Sequence, residues 1–435
     1  MAELEAINYR VYRARWFQLF IFVLATFTNA IHNMTFAPIQ SQTSTFYDLT
    51  TLQVNVLAIV FQFLYVVGTI LSFWLYRVLS VRTVILIGSL LNLGTFIRLF
   101  SLISPSNGYP ALIIGQIFPA IATPLFINIT PLFAARWFPP KQRDVATAIS
   151  SMSNPLGLAV GSLLPSLIVS NGYTSIDFFI LLIVEAGFSA LVALIVIFLF
   201  RSEPPTPPSS SVEHHTKINL RTDVINLLKN RHYLILLFSF SLGLALFSAL
   251  VALLYQIIQP VGYTSDDAGI FGAVIILSGL TSAFLVGIIM DRTHAYRFIL
   301  KALLIGACAS SLYFVLILQP NQYYPLAVSI GLMGFFLLPL LPVAFECAVE
   351  CTYPISAEWS TGMLMCLGNI FGGVFIFVLD ALLKLDPLST SPLVFTPTSV
   401  FILCCCVISA VVLLTYRGPY LRLEDERRLA STINT

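Results

Sequence analysis

Charge is scarce in this sequence. Of 435 residues only 10% are Asp, Glu, Lys or Arg, while 58% are hydrophobic, and the mean hydropathy is +0.91. A soluble globular chain carries about a quarter charged residues. A water-facing exterior for this much apolar surface is therefore excluded, and the bilayer is the solvent that fits. The net charge of +2 leaves no electrostatic footprint for a nucleic-acid partner. A phosphate-binding glycine loop, a nucleophile constellation and a metal-ligand cluster are also missing, so neither an enzyme nor a cofactor or metal is expected. The seven cysteines lack metal spacing. Cys308, Cys366, Cys404 and Cys405 stand in apolar runs, and Cys406 extends the last pair, which is no disulfide framework.

What is abundant is long apolar runs. A spanning helix needs roughly 20 mostly apolar residues, because the hydrocarbon slab is about 30 Å thick and each residue rises 1.5 Å. Twelve runs qualify, near 16–38, 51–75, 82–104, 110–136, 144–170, 176–200, 233–260, 267–290, 297–318, 324–349, 356–383 and 396–416. The first is a retained span, not a cleaved signal, since no small-residue cleavage site follows it. The 22 basic residues test the count independently. Twenty of them fall on one face of a twelve-span chain, from Arg10, Arg13 and Arg15 through the linker bases to Arg417, Arg422, Arg427 and Arg428. Only Arg98 and Lys384 fall near the other face, and loops such as Gln40–Thr50 and Gln319–Tyr324 carry none. Cytoplasmic loops accumulate Lys and Arg, so both termini are expected in the cytoplasm.

The apolar pattern breaks once, over 201–232. Ser202–Ser211 is a Pro/Ser-rich linker, and Lys217–His232 mixes charges with an amphipathic helical pattern. The expected organisation is a six-helix bundle over 1–200, a linker over 201–232, a second bundle over 233–416 and a tail over 417–435. The halves share one register. Trp137-Phe138-Pro139-Pro140 precedes Asn154-Pro155-Leu156-Gly157, and Thr352-Tyr353-Pro354 precedes Asn369-Ile370-Phe371-Gly372. Fifteen positions separate Pro139 from Asn154 and Pro354 from Asn369, which suggests duplicated six-helix repeats, the major facilitator architecture. The loop Asp291-Arg292-Thr293-His294-Ala295-Tyr296-Arg297 resembles that superfamily's acidic-basic loop motif. Its first-half counterpart, Tyr76-Arg77-Val78-Leu79-Ser80-Val81-Arg82, lacks the acidic residue and the glycine.

A narrower resemblance runs through both halves. It rests on Arg15-Trp16, Asn29-Ala30, Thr35-Phe36-Ala37-Pro38, Gly115-Gln116, Trp137-Phe138-Pro139-Pro140-Lys141 and Asn154-Pro155-Leu156-Gly157 with Ala159-Val160-Gly161. Phe345-Glu346, Ala348-Val349-Glu350, Thr352-Tyr353-Pro354 and Asn369-Ile370-Phe371-Gly372 complete it. Together these resemble the feline leukemia virus subgroup C receptor family, solute-carrier family 49. The resemblance implies an all-α facilitator fold of twelve transmembrane helices, whose members are associated with choline and ethanolamine, haem export and vitamin-like solutes. In the choline-transporting members, aromatic residues of spans one and seven pack around a quaternary ammonium. The aligned positions here are Asn33 and Ser248. His32 stands where the family often has glutamine, Thr123 replaces another, and Asn369 a third. The implied substrate is thus more hydrogen-bonding than choline.

A polar side chain in hydrocarbon is costly unless paired or facing water, so those within spans are site candidates. Asn29, His32, Asn33, Thr123, Asn154, Ser248 and Asn369 are expected to line a substrate cavity. Arg98 and Glu185 are expected to pair within the outer part of the membrane. Asp291 and Arg292, and Glu346 and Glu350 with bases such as Arg292, Arg297 or Arg136, are expected to form an inner gate. The resulting expectation is facilitated transport of a small polar organic solute by a monomeric, multi-pass protein, in the plasma membrane rather than an organelle. A proton-coupled symporter, a choline, ethanolamine or haem transporter and a non-transporting membrane receptor are the alternatives.

Overall fold

The computed structural model describes residues 11–169, 173–206, 220–385 and 396–433. Among them the chain is helical, with no strand. The first half runs α1 (Ala14–Met34), a short α2 (Gln40–Tyr47), α3 (Thr51–Val78), α4 (Val81–Asn92), α5 (Tyr109–Ile127), α6 (Thr130–Trp137), α7 (Pro140–Ile168) and α8 (Ser175–Leu199). After α9 (Leu220–Lys229) the second half runs α10 (Arg231–Ile258), α11 (Ser265–Thr293), α12 (Tyr296–Ile317), α13 (Tyr323–Leu337), α14 (Leu340–Thr352), α15 (Ala357–Leu385) and α16 (Pro397–Leu414). A tail helix, α17 (Leu421–Ile433), follows. The Pro/Ser-rich stretch past Thr206 and the linker up to Asn219 lie outside the described residues.

Among the described residues eleven helical segments are long and apolar enough to cross a bilayer, against the twelve runs expected. The difference is α7. Its 29 residues reach about 43 Å, ample for the slab, but they include Arg143, Asp144, Thr147, Ser150, Ser151 and Ser153, all buried. α7 packs on α1 in its own half and on α11 in the other. Its polar faces meet protein, so lipid imposes little hydropathy on them.

Two runs that read as continuous are broken at matching places. The fourth pauses at Asn128 and Ile129 between α5 and α6, the tenth at Leu338 and Pro339 between α13 and α14. Pro131 and Pro342 follow closely. A proline ring clashes with the carbonyl four residues back and removes an amide donor, which weakens the helix at both places. The third run tightens after α4 into a 3-10 helix, Leu93–Leu102.

The packing repeats between halves. α7 lies against α1 and α15 against α10, and across the divide α7 meets α11 and α15 meets α3. The fifth span of each half therefore contacts the first span of its own bundle and the second span of the other. A pseudo-two-fold axis along the membrane normal has this consequence. Both terminal segments lie on one face: Arg15 Nη2 donates to Gln142 Oε1 at 3.1 Å near the start of α7, and α17 packs on α14, which itself meets α7. At the opposite face α3, α8 and α11 start from threonine capping boxes, Thr50 with Gln53, Thr174 with Asp177 and Thr264 with Asp267.

The bundles touch at the terminal face and part toward the other. A Cβ placed on Gly287 of α11 would stand 3.0 Å from Ala148 Cβ of α7. Gly269 lies about five turns earlier on the same side of α11, and a Cβ there would meet nothing within 4 Å. A crevice thus opens between the bundles, away from the termini.

Candidate functional site

The polar residues marked in the sequence divide into two groups. Asn29, His32 and Thr123 lie inside the first bundle rather than on the crevice. Asn29 Nδ2 donates to Asn92 Oδ1 and to the Pro119 carbonyl, both at 2.8 Å, and its Oδ1 accepts from Thr123 Oγ1 at 2.9 Å. These bonds fasten α1 to α4 and α5, and Asn29 has almost no solvent contact. Their polar atoms are used up in packing.

His32 belongs to a second buried cluster. Arg98 Nη1 donates to Glu185 Oε2 at 3.0 Å and to Thr35 Oγ1 at 3.2 Å, while Nη2 donates to Gln116 Oε1. The Thr35 hydroxyl lies 2.8 Å from Glu185 Oε2. His32 Nε2 is 2.7 Å from Ser189 Oγ, and its Nδ1 is 3.5 Å from Glu185 Oε2. All these groups are buried. A lone buried charge would be very costly, and the pairing plus extra hydrogen bonds offsets much of that. Gly115 makes the burial feasible: a Cβ there would fall 2.5 Å from Arg98 Cγ. Gly115-Gln116 thus reads as a gap for the arginine stem followed by an acceptor for its head.

The second group is less enclosed. Asn33, Asn154, Ser248 and Asn369 are all half-buried. Asn369 Nδ2 turns back to the Met365 carbonyl at 2.8 Å, and Asn33, Asn154 and Ser248 make no side-chain hydrogen bond among the described residues. Gln62 of α3 joins them, although the sequence reading passed over it. Its Oε1 is buried without a hydrogen-bond partner. A Cβ on Gly372 would stand 3.5 Å from that oxygen, 3.5 Å from Ser248 Cβ and 3.7 Å from Ser248 Oγ. Gln62 of one half and Ser248 of the other therefore approach each other over a bare glycine, one turn from Asn369. The matching Gly157 is pressed onto α1 instead, where a Cβ would fall 2.4 Å from the Phe27 carbonyl oxygen. The signal for Gln62 was present: a carboxamide midway along an apolar run, the criterion that marks Asn154.

The terminal face closes by two unlike contacts. Asp291, near the end of α11, accepts from the Asp144 and Val145 amides of α7 at 3.1 and 3.2 Å. Two backbone N–H donors within the second turn of α7 thus hold the carboxylate. Asp144, also missed in the sequence, is buried and accepts from Tyr296 Oη at 3.0 Å. In the first half, which lacks the acidic residue, Phe73 of α3 lies against Trp359 of α15 with ring centroids 3.7 Å apart. Close by, Thr361 Oγ1 donates to the Asn128 carbonyl at 3.2 Å. Glu346 and Glu350 meet Arg422 of α17 rather than the loop bases Arg292 and Arg297. Arg422 Nη2 is 2.7 Å from Glu346 Oε2, Nε is 3.0 Å from Glu350 Oε1, and the Leu423 amide donates to Glu350 Oε2 at 3.1 Å. The reason is placement: both carboxylates are on the buried side of α14, which α17 covers, whereas Arg292 is exposed with no ion pair among the described residues. Arg136 stands 4.0 Å from Glu203.

This arrangement can be set beside known proteins. The chain matches the Major Facilitator Superfamily over residues 19–375. It is 31% identical to solute carrier family 49 member A3 of Xenopus tropicalis, over 89% of this chain and 81% of that one. Identity to the Danio rerio member A3 is also 31%, over 97% and 91%. The chain belongs to solute carrier family 49 of the major facilitator superfamily. The human choline/ethanolamine transporter FLVCR2 is 26% identical over 84% of this chain and 71% of its own length. In fold, the crystal structure of the Escherichia coli fucose:proton symporter FucP superposes with a TM-score of 0.70 at 15% identity, covering 93% of this chain and all of that one.

Membership fits what the site can do. This family 49 chain is a multi-pass membrane protein that carries a small solute, and its crevice has the parts a carrier needs. Half-buried polar side chains occur in both bundles, and Gln62 of the first stands near Ser248 of the second over Gly372. The latches at the terminal face are polar or aromatic contacts that a rocking motion of one bundle could release.

Proposed function

We propose that this protein is an alternating-access facilitator for a small, polar organic solute recognised by hydrogen bonds. Gln62, Asn154, Ser248 and Asn369 would grip the solute, with Asn33 nearer the mouth of the crevice. The observation that carries this reading is Gln62 Oε1, a buried acceptor without a donor beside Ser248 and Gly372. Buried polar groups in native proteins are nearly always satisfied, so an orphan acceptor between the two bundles is a candidate for a ligand donor. A hydroxyl or a primary amine supplies one. Choline could offer its hydroxyl as well, but its quaternary ammonium brings no N–H and prefers aromatic faces, which the aligned positions Asn33 and Ser248 do not provide. Ethanolamine-like or neutral hydroxylated solutes therefore suit the crevice better than choline.

The basic residues of the terminal face support a cytoplasmic location for both termini, and with it a crevice open to the outside, in the plasma membrane. The protein would act as a monomer, since each chain holds both halves of the crevice. Facilitation rather than proton symport is favoured because Glu185 is locked by Arg98 and Thr35 inside one bundle. Reconstitution in liposomes tests the reading. Uptake of labelled ethanolamine or pyridoxine should exceed that of choline and fall in Gln62→Ala. Equal uptake of all three, unaltered by Gln62→Ala, refutes hydrogen-bond recognition at this crevice, and absence of any flux favours a receptor.

A further inference from the structure

One cleft on the terminal face takes no part in the transport path. It lies between the α11–α12 turn and α17, has a volume of about 490 Å³, and is lined by Thr293, His294, Arg297, Tyr420, Glu424 and Arg427 among others. Its two guanidiniums come from opposite walls, Arg297 from α12 and Arg427 from α17. Arg297 is held in place: its Cζ lies 4.5 Å over the Tyr420 ring, and its amide donates to Tyr420 Oη at 3.1 Å. Neither arginine has a carboxylate at ion-pair distance among the described residues. Glu424, the single acid of the lining, is exposed. Phe298 also lines the cleft and is 76% exposed, so the mouth adjoins the apolar surface that lipid covers.

Guanidinium groups match phosphate oxygens in a planar, bidentate way, and such charge-assisted bonds are the strong ones. Two of them on facing walls, next to a membrane surface, define the ligand chemistry. We propose that this cleft binds a phosphate-bearing anion between Arg297 and Arg427, which pins α17 to the end of the second bundle. The pinning bears on the gate, because Arg422 on the same helix holds Glu346 and Glu350. The phosphate comes either from an anionic lipid of the adjoining leaflet or from a soluble phosphate ester.

The test is native mass spectrometry of the full-length protein in detergent, titrated with dioctanoyl phosphatidylinositol 4-phosphate, dioctanoyl phosphatidylcholine and inositol 1,4-bisphosphate. The phosphoinositide should bind roughly tenfold or more tightly than phosphatidylcholine. Arg297→Gln/Arg427→Gln should lose that preference, and Arg13→Gln/Arg77→Gln, which removes equal charge elsewhere on the same face, should keep it. Preference retained in the cleft variant, or lost equally in both variants, overturns the proposal. Comparable binding of inositol 1,4-bisphosphate assigns the site to a soluble ester, and its failure to bind assigns the site to lipid; both support the shared chemistry. Should the double variant aggregate, Arg427→Gln alone, on the exposed tail, carries the same comparison. Hydrogen exchange over α17 should slow when the phosphoinositide binds, and unchanged exchange overturns the pinning. These readouts measure binding, so their failure leaves the transport reading standing.

Discussion

Arg422 Nη2 lies 2.7 Å from Glu346 Oε2, joining the last helix of the chain to a carboxylate that has no contact with solvent. The same guanidinium reaches Glu350. Removing it takes the guanidinium from two buried carboxylates, and breaking a buried pair costs roughly 3–5 kcal/mol. Arg422→Ala should lower the melting temperature and loosen α14. Cys347 and Cys351, both buried on α14, are natural reporters. With the other five cysteines replaced, they should react faster with a thiol reagent applied from the terminal face. Unaltered reactivity and melting would show that the tail does not hold this end shut.

The Arg98–Glu185 pair predicts an opposite pattern for single and double variants. Glu185→Gln leaves Arg98 buried without a counter-charge and should cost roughly 3–5 kcal/mol, whereas Arg98→Met/Glu185→Leu should recover much of that loss. Uptake by whichever variant folds should respond to an imposed pH gradient as the parent does. A stable Glu185→Gln protein whose flux has lost a pH dependence seen in the parent would make Glu185 a coupling group instead.

Asn29 and Asn154 should respond differently to the same substitution. Asn29→Ala deletes three buried hydrogen bonds to α4 and α5, so stability should fall by about 1–3 kcal/mol. Asn154→Ala removes no internal bond and should leave melting nearly unchanged while uptake drops. Thermal unfolding and initial-rate uptake, measured side by side, separate them. A reversal of that pattern would exchange their assigned roles.

Asp291→Asn tests the carboxylate latch. The side chain keeps its size but loses one of the two acceptor oxygens that take the α7 amides, a hydrogen bond worth about 0.5–1.5 kcal/mol. The population open toward the terminal face should rise by roughly two- to tenfold, read by distance measurements between labels at the exposed Lys141 and Arg292. Phe73→Ala, acting on the other latch, should shift the same distance in the same direction. No shift in either variant would remove both contacts from the closing mechanism.

Much of the architecture was legible because its cause is one-dimensional. The slab acts alike on every residue that enters it, so run length and hydropathy expose most spans without knowledge of their neighbours. α7 is the informative exception. Its serines and charges are tolerated because α1 and α11 cover them, and covering is a property of the assembled bundle. The breaks after Ile127 and Leu337 had a local cue in Pro131 and Pro342, but prolines also occur within continuous helices here, as Pro155 and Pro165 do.

Asn29 and Asn33 mark where linear reading stops. They are one turn apart on α1 and share a side by spacing, yet Asn29 is consumed by Asn92, Pro119 and Thr123 while Asn33 is half-buried without a partner. Gln62 and Ser248 are 186 positions apart in the chain, and only the docking of α15 between their helices brings them together over Gly372. The amino-acid sequence alone determined the membrane class, the two-bundle plan and the face that gathers positive charge, because lipid and membrane topology read composition residue by residue. Which carboxamides remain open to a solute, and that Arg422 rather than a loop base meets Glu346, were decided by tertiary structure. Those outcomes depend on helix rotation and on partners distant in the chain, which no local pattern encodes.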